Sequence, residues 1–201
     1  MIRGTDIIPM IYVLDTETTG LRGCPDDHVV DVGVAYLNTT TGEVKGVFSS
    51  IVGYDISSWD SAHKNAWIFE NTDLTLEQVS NAPDQDSVRE GLIEIIGDRN
   101  VTSYNTAFDF GKFLFKDPWD IGSYISEYPD IMIKAASFCK IPGRYGDYKW
   151  PKLDHAYSLL CPEDPANIHG KQDHRALSDA IVASYVLKAL IQRGLYPEFI
   201  S

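Results

Sequence analysis

Three cysteines in 201 residues, Cys24, Cys139 and Cys161, are too few and too scattered for a disulfide framework, and no CxxC pair offers thiolates to zinc. A reducing, cytoplasmic setting is the expectation that follows. Long hydrophobic runs are also missing. The apolar stretches around Ile7–Leu14 and Val182–Leu190 are too short or too interrupted to cross a bilayer. No basic segment followed by an apolar stretch and a small-residue cleavage site opens the chain, so neither a secretory leader nor membrane association is expected. Internal repeats, low-complexity tracts and linkers are absent too. A composition of 44% apolar and 23% charged residues then suits one domain over 1–201, with its core at about 10–193.

Positive charge is the scarcest commodity. Seventeen Lys and Arg face 29 Asp and Glu, for a net charge of −12. A protein whose affinity comes from neutralising many phosphates should be basic. Either nucleic acid is not the ligand, or the contact is short and bound cations do the neutralising. The second case requires clustered carboxylates.

The hydrophobic pattern predicts a buried strand at Met10–Leu14 that delivers Asp15-Thr16-Glu17 to a turn at Thr18-Thr19-Gly20. Val29–Leu37 and Glu43–Val52 flank a loop and read as a hairpin. Thr75-Leu76-Glu77-Gln78 has the spacing of a capping box. An amphipathic helix is expected from Asp84 to about Gly97, a strand at Val101–Tyr104, helix at Thr106–Lys116, and a further strand at Ile131–Ile133 leading into Lys134–Lys140. Helices follow at Lys152–Leu160 and from about His174 to Arg193, the last with Leu177, Ala180, Ile181, Leu187 and Ile191 on one stripe and Gly194 as its stop. Alternating β and α elements after a hairpin imply a mixed sheet with helices packed on it.

Three constellations carry chemistry. In Asp15-x-Glu17, side chains two apart on a strand share a face, so two like charges stand side by side, a costly arrangement unless a cation sits between them. All-oxygen ligands of this kind suit Mg²⁺ or Mn²⁺. Two solvated acids opening a loop would look the same. In Tyr104-Asn105-Thr106-Ala107-Phe108-Asp109, Asn105 can cap a helix and Asp109 is favoured by the helix dipole with no metal at all. In His174-Arg175-Ala176-Leu177-Ser178-Asp179, positions five apart diverge by about 140° on a regular helix. They converge only if His174 lies on the preceding turn, which Gly170, Lys171 and Gln172 would allow. The plain alternative is a solvated helix start capped by Asp173.

Taken together, DxE, NxxFD and Hx4D in this order resemble the motif set of the DEDDh (DnaQ-like) 3′→5′ exonucleases, from about Met10 to Leu190. Thr18-Thr19-Gly20 after the acidic pair and the Leu153-Asp154 helix before the last motif agree with that resemblance. No motif position departs from it. A Yx3D ending, as in the neighbouring family, fits less well because His174 stands five before Asp179.

The resemblance implies an RNase H-like fold, α/β, with a mixed five-stranded sheet flanked by helices. It implies that Asp15, Glu17, Asp109 and Asp179 hold two divalent cations, Mg²⁺ or Mn²⁺, with Asp15 bridging, and that His174 is the general base. The reaction would release nucleoside 5′-monophosphates from the 3′ end of DNA or RNA, single-stranded or short. Thr18 and Thr19 would meet the terminal nucleotide and Leu21 its base. Asn105 and Phe108 join that candidate substrate-binding set, although their pattern alone reads as a cap and a core ring. A polymerase or a second copy of the chain are further candidate partners.

Residues 134–152 hold five basic residues against Asp147 alone, interleaved with Phe138, Tyr145, Tyr148 and Trp150. That composition fits a lip for single strands, or equally a solvated loop with its rings packed down. His155, His169 and Cys161 match no common zinc spacing, and His28 and His63 have no evident context. Trp59 and Trp67 read as packing, and Asp26-Asp27 as a solvated turn. Arg175 would meet either phosphate or a carboxylate. Two competing functions stay open: a non-catalytic module of the same fold that binds a nucleic-acid end or a polymerase, and a hydrolase of small phosphorylated substrates using the same metals.

Overall fold

β1 (Met10–Thr18) outlasts the apolar run that announces it, carrying through Asp15 and Glu17 to a register shift between Glu17 and Thr18. It pairs antiparallel with β2 (Val29–Asn38), and β2 with β3 (Val44–Ile51). On its other edge it pairs parallel with β4 (Asn100–Ser103), and β4 with β5 (Ser126–Glu127). The sheet is therefore mixed and five-stranded, in the order β3-β2-β1-β4-β5, as the α/β expectation requires. The structure, a computed structural model, describes residues 10–144, 146–163 and 173–196. Ile7, Tyr145, His169, Gly170, Lys171 and Gln172 lie outside the described residues.

Three short helices follow β3: α1 (Ser61–Lys64), α2 (Trp67–Asn71) and α3 (Leu76–Asn81), the last opened by the expected reciprocal bonds between Thr75 and Gln78. Asp84 caps α4 (Gln85–Ile96) by accepting from the Ser87 N–H at 2.8 Å. After β4, α5 (Thr106–Phe108) widens into a π-helical turn over Asp109–Leu114. Then come α6 (Ile131–Cys139), α7 (Leu153–Leu160) and α8 (Ala176–Gln192), which ends before Gly194 at φ +66°.

Ile131–Ile133 is thus the first turn of α6 and not a strand. Three consecutive apolar residues do not separate the two states. Asp130 does, because its Oδ1 accepts from the Ile133 N–H at 2.8 Å and caps the helix, while Ile131, Met132, Ala135 and Ala136 go down on one buried face.

Strand alternation divides the core into two layers. Ile11 and Val13 pack with α6, α7 and α8 on one face. Tyr12 and Leu14 pack with Val88, Leu92 and Ile96 of α4 and with Phe110, Phe113 and Leu114 on the other. Carried two residues further, the same alternation puts Asp15 and Glu17 on the α8 face and Thr16 on the opposite one.

The buried face of α8 differs from the expected stripe. Ala176, Ala180, Ala183, Val186, Leu187 and Leu190 are buried, whereas Leu177, Ile181 and Ile191 are only partly covered. Small residues face the sheet because the helix lies very close to it. A Cβ added at Gly33, which pairs with Asp15, would fall 2.1 Å from the Leu177 nitrogen and 2.3 Å from the Ala176 carbonyl carbon. Only glycine fits beneath that helix start.

Candidate active site

Four acids and a histidine, widely separated in the chain, meet where β1 ends and α8 begins. Carboxylate oxygens of Glu17 and Asp179 and a ring nitrogen of His174 all lie within 4.8 Å of one another. His174 sits on the turn before α8 at φ +57° while Asp179 lies in the helix proper, so the five-residue spacing closes as anticipated. A left-handed histidine backbone costs about 1 kcal/mol, and such strain concentrates at functional sites. Asp173 is not the helix cap. Arg175 holds that position, and Asp173 Oδ1 instead accepts from the Arg175 N–H at 3.2 Å.

Asp109 arrives from the other side of the sheet. Its backbone follows the helix start that Asn105 caps by accepting from the Phe108 N–H at 3.2 Å, and the π-turn begins at Asp109 itself. Its Oδ1 accepts from the Thr16 hydroxyl at 2.7 Å, which ties motif two to the residue between the acids of motif one. Among neighbouring charges, Asp109 is also the one that acts most strongly on Asp15.

The site is electrostatically unsatisfied by protein alone. Burial, then repulsion from Asp109, Glu17, Asp179 and Asp31, pushes the Asp15 carboxyl well above its ordinary range. Burial and the same crowd of acids raise Glu17 to about 9. Asp109 rises to about 6, mainly through burial, with the Thr16 bond working against the shift. Among the described residues, Arg175 is the cation that acts on Glu17, and its pull is outweighed by the acids. A donor set of carboxylate oxygens plus one imidazole, overloaded with negative charge, fits hard divalent cations such as Mg²⁺ or Mn²⁺.

Asp31 was not singled out by sequence because it is a lone acid in the apolar β2 run. It pairs with Glu17 across the strands and is 1% exposed. Its Oδ2 accepts from Arg175 Nε at 2.8 Å and from the Ala176 N–H at 3.2 Å, which fastens the start of α8 to β2. Arg175 also reaches Asp73 at 3.1 Å, so its partners are carboxylates. Replacing Arg175 by Met leaves the Asp31 carboxylate buried without its cation. The expected cost is about 1–3 kcal/mol, less than for a fully buried pair because Arg175 keeps contact with water. Urea unfolding checks it, and a double change Arg175→Met with Asp31→Asn should recover part of the loss.

The remaining candidates divide. Thr18 Oγ1 donates to the Gly20 carbonyl at 2.7 Å, and Thr19 accepts from the His28 N–H at 2.9 Å, so both shape the turn after β1. Leu21 stands 74% exposed at its tip, held by Lys112 Nζ donating to its carbonyl at 2.6 Å. Phe108 is half-buried, packing edge-on to Phe113 against the core. Asp27 is buried, contrary to a solvated turn, because it accepts from the Arg22 N–H at 2.6 Å and pairs with its guanidinium at 3.1 Å. Trp59 is buried and stacks on His28 at 5.0 Å, giving that histidine a packing role. Trp67 is not simply packing: it is 55% exposed and meets the His174 ring edge-to-face at 4.9 Å.

Comparison with known proteins agrees with this geometry. A family model described as an exonuclease (RNase_T) matches residues 12–187. The PolC-type DNA polymerase III of Clostridium perfringens is 28% identical over 176 residues, which make up 88% of this chain and 11% of that protein. A putative bifunctional exonuclease/endonuclease of Mycobacterium tuberculosis is 25% identical over 203 residues, 90% of this chain and 26% of that protein. The chain therefore spans a small fraction of the length of these relatives. The nuclease domain of 3′hExo, described as a DEDDh family member bound to rAMP, superposes with a TM-score of 0.60 at 18% identity, covering 95% of this chain and 96% of that one. Exonuclease I of E. coli in complex with a 5cy-dT13 oligonucleotide gives 0.66 at 14% identity, covering 94% and 42%. At such identities the likeness speaks to the fold.

Proposed function

From the premise that this chain belongs to the exonuclease family, whose model spans residues 12–187, we propose that it is a metal-dependent 3′→5′ exonuclease acting on single-stranded or short DNA or RNA. The observation that carries the proposal is the convergence of Glu17, His174 and Asp179 within 4.8 Å, beside the mutually repelling Asp15 and Asp109. All five motif residues are present, which favours an enzyme over a binding module of the same fold. The structural relatives described as 3′ exonucleases support the direction of attack, and the PolC-type relatives make a polymerase a reasonable partner.

Asp15, Glu17, Asp109 and Asp179 would hold the two cations. When bound, these supply positive charge on both sides of the scissile phosphate and acidify the attacking water. The chain's own groups do the rest. His174 stands at the rim of the acid cluster, where its imidazole can take the water's proton and pass it to solvent. Thr16 helps keep Asp109 aimed by donating to its Oδ1. Arg175, fixed by Asp31, sets the helix start that carries both His174 and Asp179. The exposed Leu21 offers an apolar face to the terminal base.

The test uses one strand labelled at its 5′ end or at its 3′ end. With Mg²⁺ or Mn²⁺, the 5′-labelled strand should shorten as a ladder while the 3′-labelled one releases mononucleotide at once, and EDTA should stop both. Release of mononucleotide from the 5′ end, or cleavage that ignores EDTA, would overturn the proposal. Running DNA and RNA in parallel sets the preference, and a simple phosphodiester as substrate separates off a small-molecule hydrolase.

A further inference from the structure

We propose that residues 140–144 and 146–152 form a docking lip for the unpaired strand that leads into the active site, an inference that rests on the exonuclease reading and extends it to the nucleotides behind the terminal one. Backbone bonds join its two described stretches, 140–144 and 146–152. The Gly143 N–H donates to the Asp147 carbonyl at 2.8 Å, the Lys149 N–H donates to the Ile141 carbonyl at 2.9 Å, and Pro142 and Tyr148 form a bridge. On this frame Trp150 is 65% exposed and Tyr148 49% exposed, and neither makes a ring contact with another described residue. The alternative of a loop with its rings packed down does not hold for these two.

The placement is favourable. Pro151, next to Trp150, accepts through its carbonyl from the Tyr104 hydroxyl at 2.9 Å. Tyr104 immediately precedes Asn105, the cap of the turn that carries Asp109. Asp130 strengthens the same corner, taking the Ile133 N–H on Oδ1 and the Thr106 N–H on Oδ2, each at 2.8 Å. The residue next to the exposed indole is therefore tied to the end of β4, from which the chain runs into the turn that carries Asp109. Lys140, Lys149 and Lys152 flank the indole, with Asp147 the one acid between 140 and 152, in a chain of net charge −12. Open aromatic faces among cations suit stacked, unpaired bases and the phosphates between them; a duplex keeps those base faces hidden.

Binding and turnover test this separately. On EDTA-treated protein, anisotropy of 5′-labelled dT10 should show affinity falling about tenfold in Trp150→Ala and the salt slope falling by about 1 in Lys149→Ala with Lys152→Ala. Trp150→Phe, which keeps a ring, should restore most of the affinity. With Mn²⁺, the ratio of kcat/KM for dT10 over that for a dinucleotide should fall about tenfold in Trp150→Ala. An unchanged affinity and an unchanged ratio in both variants overturn the lip, even where the wild type shortens dT10 normally. A duplex that competes as well as dT10 does the same. If the wild type neither binds nor cleaves any oligonucleotide, the lip falls together with the exonuclease reading.

Discussion

Asp15→Asn should abolish 3′-end cleavage, with kcat/KM falling by at least about a thousandfold, equivalent to about 4 kcal/mol of transition-state stabilisation. The substitution is nearly isosteric and removes one charge. Asp15 is where the site's electrostatics converge, since Asp109, Glu17, Asp179 and Asp31 all act on it. It also reaches toward both halves of the site, as it shares a face with Glu17 and lies under the α8 start through its pairing with Gly33. An amide there keeps the shape and forfeits the ligand that two cations would share. Initial rates on a labelled oligonucleotide, with far-UV circular dichroism to show an intact fold, are sufficient. Full activity in Asp15→Asn would end the two-cation assignment, and full activity in Asp109→Asn would do so independently.

The second large effect concerns stability without metal. The melting temperature of metal-free protein should fall by about 5–10 °C between pH 5 and pH 9, and saturating Mg²⁺ or Mn²⁺ should remove most of that slope. Asp109 and Glu17 have folded-state values raised to about 6 and about 9, whereas in the unfolded chain both lose their protons near pH 4. The folded form therefore binds protons that the unfolded form has released, so stability is greatest below pH 4 to 5 as far as these groups are concerned. It is lost as pH rises first through about 6 and then toward 9. Above pH 5, the part of the Asp109 displacement still to be lost, from 5 to about 6, corresponds to roughly 1.4 kcal/mol, and the rise of Glu17 to about 9 adds to it. For a chain of this size that is on the order of 5–10 °C. Asp15→Asn should raise the metal-free melting temperature at pH 8, since it removes a repelling charge that only the cations reward. A slope unchanged by metal, or a variant that melts lower than the wild type at pH 8, would contradict this origin.

What could be read from the linear order, and what could not, follows the range of the interactions involved. Asp15-x-Glu17 was legible because strand period alone puts both acids on one face. Asn105 was legible as a cap because capping is local. The approach of His174 to Asp179 needed a turn outside the helix, and the left-handed backbone of His174 supplies it. Asp31 and Asp27 were hidden for a different reason. Each acts through a partner whose position depends on the finished fold: Asp31 and Arg175 stand 144 positions apart, and the four residues between Arg22 and Asp27 form a turn of no regular period. Trp67 reads as packing because an aromatic ring in an irregular stretch says nothing about which loop lies opposite. The Ile131 region shows the local limit, where one capping aspartate outweighed three apolar neighbours.

Gly33 gives the site a weakness that no inventory of its acids would reveal. A methyl group there would act as a wedge under the first turn of α8, prising His174 and Asp179 away from Asp15 and Glu17 while every one of those side chains remained chemically intact. Cation affinity in this protein is thus governed in part by a position that bears no functional group at all. A lineage that lost its glycine would carry the complete set of signature residues and still be a disarmed nuclease.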